Sequence, residues 1–146
     1  MKRIIGTIVA IGLLLLSSCA APTPAPEPTP TAAPITTVEE LVGVWRRWAT
    51  EHYFQFKGDG TYRTAASTEG LEDYPWVEGE FWFEGGQLFL KDTACRFELA
   101  DCVGLPAGSY EVQGAVKGYL TFVAVDEPCE YRDSTFVTKP LKWYSP

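Results

Sequence analysis

The sequence predicts an all-β domain, a small antiparallel up-and-down barrel of seven or eight strands preceded by one short helical turn. Three observations predict it. Two hairpins can be aligned residue by residue from their turn chemistry. Apolar and polar residues alternate with period two through most of residues 41–138. That many short strands in a chain of 146 residues needs protected edges, and closing the sheet on itself removes them.

The first hairpin turns at Gly58-Asp59-Gly60, a three-residue loop with glycine at the bulge position. Pairing Lys57 with Thr61 sets Phe56 opposite Tyr62 and Phe54 opposite Thr64 on one face, with Gln55 and Arg63 on the other. The second turns at Gly85-Gly86 and pairs Glu84 with Gln87, Phe83 with Leu88, Trp82 with Phe89, Phe81 with Leu90 and Glu80 with Lys91. Phe81, Phe83, Leu88 and Leu90 then share an apolar face, and Trp82 and Phe89 form a cross-strand pair on the polar one. A third pair, Ser109–Gly114 with Tyr119–Val125, has an open register. Tyr131–Thr138 reads as the last strand, stopped by Pro140, with Lys142-Trp143-Tyr144 packing back as a tail.

Ahead of the hairpins, Thr37-Val38-Glu39-Glu40 matches a capping box, so a single helical turn leads into Leu41. Gly43-Val44-Trp45 suits a first barrel strand: the glycine allows another chain segment to pass close, and the indole plugs one end.

Residues 1–18 read as a signal peptide. Lys2 and Arg3 form its positive end, and Ile4 to Leu16 form an apolar run too short to span a bilayer comfortably. Leu16-Ser17-Ser18-Cys19 resembles the bacterial lipoprotein signal. The resemblance implies cleavage before Cys19 and acylation of that cysteine, hence an extracytoplasmic domain anchored to the cell membrane by lipid such as palmitate. Residues 19–35 form a linker. Ala20 to Pro34 holds six of the eleven prolines and favours an extended stalk, about 50 Å long at ~3.1 Å per residue. The domain itself is expected to span residues 36–146.

The chain carries a formal charge of -7, and without the signal peptide ten basic residues face nineteen acidic ones. No basic run or basic aromatic stripe occurs, which argues against nucleic acid, and the excess acid opposes contact with anionic headgroups.

Cys95, Cys102 and Cys129 can make one bridge in three ways. Cys102–Cys129 is favoured, because the two flank the third hairpin, where its ends meet. Cys95 is then buried and inert, exposed and reactive, or the true partner of Cys129. No motif makes a base of His52, read as a surface or rim residue, and no enzyme activity, cofactor or metal is expected. Glu72-Asp73, Asp126-Glu127 and Glu130 match no calcium loop and read as solvated acids.

Gly43-Val44-Trp45 after a helical turn, the run of antiparallel hairpins and Arg132 near the end together resemble a lipocalin-type (calycin) barrel, and more narrowly the small lipocalin-like domains of bacterial lipoproteins. The resemblance covers Thr36 to Trp143, with only Val125-Asp126 near the place of the usual Thr-Asp-Tyr signature. It implies that Trp45 packs beneath Arg132 as a barrel-closing cation–π pair. Phe54, Phe56, Tyr62, Phe81, Phe83 and Tyr110 then either line an apolar pocket for a small hydrophobic molecule or fill the barrel. The alternative function is a solid-core envelope module that binds a protein, inhibitor-like, with Trp82 and Phe89 as its interface; the partner is not legible.

Overall fold

The computed structural model describes residues 32–97, 102–114 and 118–145. Nine strands and three short helices follow in the order β1 (Ala33–Ile35), α1 (Val38–Leu41), β2 (Gly43–Arg47), β3 (Tyr53–Phe56), β4 (Thr61–Ala65), α2 (Gly70–Asp73), β5 (Val77–Glu84), β6 (Gln87–Cys95), β7 (Gly108–Gly114), β8 (Tyr119–Asp126), α3 (Glu130–Phe136) and β9 (Leu141–Ser145). Strands β2 to β9 pair in sequence, all antiparallel, and β9 pairs back onto β2, so eight strands close a barrel. The fold class read from the sequence is the one observed.

Both hairpin registers hold at every expected pair, from Phe56↔Tyr62 to Glu80↔Lys91. The capping box holds as well, with Glu40 Oε2 accepting from the Thr37 N–H at 3.2 Å. Gly43 sits at φ 137°, and the Trp143 ring lies where its side chain would be, so the glycine is required by both backbone angle and space.

Three expectations fail. Tyr131–Thr138 is not the last strand; α3 occupies most of it. Its β-branched and aromatic residues read as strand by propensity. The buried positions are Arg132, Thr135 and Phe136, one helical face at i, i+3 and i+4. The closing strand is instead the supposed tail, where Leu141 is buried and Lys142 exposed. Finally, the sheet takes in Ala33–Ile35, which the linker was expected to include. These pair with Gly114–Val112 on the part of β7 beyond the reach of β6, and Ile35 is buried.

Because the strands alternate, α1 and the turns at residues 57–60 and 85–86 share one end. Residues 48–52, α2, the segment before β7 and α3 share the other. The core runs between these ends. Trp45, Phe54, Phe56, Tyr62, Leu88, Leu90, Tyr110 and Leu120 are each at most 1 % exposed, and Phe136 enters among them from α3.

Candidate functional site

The connections at the α3 end bring together a buried polar cluster. Period two along β6 puts Leu88, Leu90 and then Asp92 on the inner face. An irregularity beside Gly79, where the register passes from Glu78↔Ala94 to Gly79↔Asp92, ends that regular run. The Tyr62 ring covers Gly79 on the space a Cβ would take, so its hydroxyl reaches Asp92 Oδ1 and donates to it. From α3, Arg132 donates to Asp92 Oδ1 at 3.1 Å, to Glu127 Oε2 and Oε1 at 2.8 and 2.9 Å, and to the Pro106 carbonyl at 3.0 Å. Tyr110 also donates to Glu127, and the Cys129 N–H donates to Glu127 Oε1 at 2.6 Å. The arginine side chain is 1 % exposed and the two carboxylates 2 %.

These bonds tie α3 to β6 and to the segment that follows β8. Burial works against charge on Arg132, but Glu127 and Asp92 outweigh it and hold the guanidinium above its ordinary range. Burial pushes both phenols up, Tyr62 reinforced by Asp92 and Tyr110 by Glu127, so neither serves as a base near neutral pH. The void beside the cluster, lined by Thr64, Val77, Tyr131 and Phe136 among others, measures ≈ 10 Å³, room for about one water.

The expected site residues are distributed as follows. Trp45 and Arg132 are both buried, but they have different partners. The Trp45 indole N–H donates to the Leu41 carbonyl at 2.8 Å, and its ring meets the edge of Trp143 at 4.9 Å. Arg132 turns to carboxylates because the helix carrying it faces Asp92 and Glu127. The α3 end is closed by Phe136, whose ring lies 5.2 Å from Phe54, 5.3 Å from Phe122, 6.0 Å from Tyr110 and 6.3 Å from Tyr62.

Of the six proposed pocket residues, Phe54, Phe56, Tyr62, Phe81 and Tyr110 are buried against one another, and Phe83 is half-buried at their margin. Trp82 and Phe89 do pair across β5 and β6, stacked at 5.4 Å with planes 7° apart, each half-buried on the outer wall. Cys102 and Cys129 form the favoured disulfide, with Cα atoms 5.8 Å apart. Cys95 ends β6, half-buried, its thiol 3.2 Å from the Phe97 carbonyl. Cys19 lies outside the described residues.

Two readings are corrected. His52 is not a surface residue: at the α3 end of the barrel it is only 8 % exposed, stacked 4.4 Å from Phe54 and near Trp76. Burial, and then the charge of Arg47, push its pKa down to about 4. Glu127 is not a solvated acid but half of the ion cluster. Asp92 escaped the sequence reading altogether, although an acid two residues beyond Leu90 on an apolar stripe is the signal that marks it.

No protein-family model matches this chain, and no curated protein or solved structure matches it either. The fold and site therefore define a class by architecture alone: a closed eight-stranded antiparallel barrel with an aromatic core, capped by a helix and tied by a buried ion cluster. Among the described residues no helix is long and apolar enough to cross a membrane, and no three His, Cys, Asp or Glu side chains are grouped to hold a metal.

Proposed function

We propose that this chain is an exported, lipid-anchored interaction module, a solid inhibitor-like barrel that presents its outer wall to a protein partner. The filled interior is the observation that carries this. Phe136 packs at 5.2 to 6.3 Å from four rings of the barrel, and the void beside it admits about one water. A small hydrophobic ligand in the lumen, the other reading of the aromatic residues, would require α3 to withdraw and the Arg132 cluster to break. Such ligands usually occupy preformed pockets of roughly 300–1,000 Å³.

The flat Trp82–Phe89 stack supports the outer wall as the contact surface, since aromatic side chains dominate interface energetics. The Cys102–Cys129 bridge suits an oxidising compartment, and the Leu16-Ser17-Ser18-Cys19 motif supplies the anchor. We assign the domain no reaction.

Two measurements test the proposal. Native mass spectrometry and solvent extraction of the purified protein should reveal no stoichiometric small molecule. A stoichiometric hydrophobic ligand would instead require an opened lumen. Affinity capture from the native envelope should recover a partner that Trp82→Ser with Phe89→Ser loses while the Tm is kept. Capture unchanged by these substitutions removes the wall from the proposal.

A further inference from the structure

A second outer surface stands apart from the Trp82–Phe89 wall. Three neighbouring strands put one register row side by side: Arg46 on β2, Lys142 on β9 and Tyr119 on β8. Trp48 adjoins the row just past β2. Its ring meets that of Tyr119 edge to face, 5.7 Å between centroids at an interplanar angle of 65°, and the two form a corner. The Lys142 ammonium lies 5.9 Å from each ring centre. Trp48 is 48 % exposed and Tyr119 45 %, unusual for rings that could pack inward.

The backbone holds this corner in place. The Trp48 N–H donates to the Pro140 carbonyl at 2.9 Å, and the Thr50 N–H to the Arg47 carbonyl at 3.2 Å. Between them Ala49 takes φ 58°, the left-handed region that a Cβ disfavours. It is the one non-glycine residue with positive φ among the described residues. Strain retained beside an exposed tryptophan fits a constrained binding corner.

Charge selects the occupant. In a chain of net charge -7, Arg46 and Lys142 stand directly opposite each other, a like-charged pair. Only Arg46 has a carboxylate nearby, the exposed Glu51 at 3.9 Å, while Lys142 makes no ion pair among the described residues. The surface suits a rigid ligand with apolar faces, polar edges and an isolated negative charge. Dense polyanions would be repelled by the molecule as a whole.

We propose that Trp48, Tyr119 and Lys142 form a binding site for an acidic carbohydrate, the pyranose face stacking in the ring corner and its carboxylate meeting Lys142, with Arg46 as a second cation. This site is independent of the protein partner proposed above.

The test uses the indole N–H signals of the ¹⁵N-labelled protein, with 3'-sialyllactose as the acidic probe, lactose as the neutral one and phosphatidylglycerol vesicles as a separate arm. 3'-Sialyllactose should shift the Trp48 signal saturably, and lactose should bind at least several-fold more weakly. Lys142→Ala should lower affinity by about threefold and Lys142→Glu further, as expected for one exposed ion pair. Trp48→Ala should abolish saturable binding while the remaining indole signals keep their dispersion. No Trp48 response to 3'-sialyllactose, equal affinity for lactose, indifference to Lys142→Glu, or a response to vesicles alone would each overturn the proposal.

Discussion

Replacing Arg132 with Met tests whether the buried cluster holds the capping helix on the barrel. Methionine keeps much of the apolar stem and removes every donor. Asp92 then loses its bond of 3.1 Å, Glu127 loses bonds of 2.8 and 2.9 Å, and the Pro106 carbonyl loses one of 3.0 Å, with both carboxylate side chains still only 2 % exposed. Breaking a buried pair by deleting one partner is worth about 3–5 kcal/mol, because an uncompensated charge stays behind. Against a total of about 5–15 kcal/mol, that is a large share of the fold's stability. At roughly 4–8 °C per kcal/mol for a domain near this size, the Tm should fall by at least about 12 °C. Urea unfolding followed by tryptophan fluorescence measures the free-energy loss, and a thermal scan the fall in Tm. A companion carrying Arg132→Met with Asp92→Asn and Glu127→Gln separates stranded charge from lost packing, and should recover part of the deficit. A loss below about 1 kcal/mol for Arg132→Met alone, or a companion less stable than the single variant, would refute the assignment of the cluster as a charge-balanced tie.

Phe136→Ala removes the ring that closes the α3 end and should destabilise by about 3–5 kcal/mol in the same urea assay. His52 makes stability depend on pH. Its folded pKa is pushed down to about 4, so as pH falls the unfolded chain takes up the proton first. Its contribution is therefore present above about pH 6.5 and lost progressively down to about pH 4, up to about 3 kcal/mol in all. His52→Gln should flatten that segment of the profile, read from unfolding midpoints at pH 7.5 and 4.5. Replacing Cys102 and Cys129 by Ala opens a loop with sequence separation 27 and should lower stability by about 3.5 kcal/mol, checked against the oxidised parent.

The hairpins were legible because turn chemistry and period two are local. Gly58-Asp59-Gly60 and Gly85-Gly86 allow one register each, and a slip of one residue would turn Phe81, Leu88 and Leu90 outward. The bridge between Cys102 and Cys129 followed from the same hairpin logic. The segment from Tyr131 to Thr138 was misread because seven helical residues amount to two turns, too short for periodicity to outweigh strand propensity.

By itself, then, the sequence determined the registers of two antiparallel hairpins and the faces their side chains share. Tertiary structure alone decided that Leu141–Ser145 closes the cylinder, that α3 seals one end with Phe136, and that Asp92, Glu127 and Arg132 meet inside it. The reason is separation along the chain. Asp92 and Arg132 stand 40 residues apart, and no local pattern records a contact that exists only once the barrel has closed.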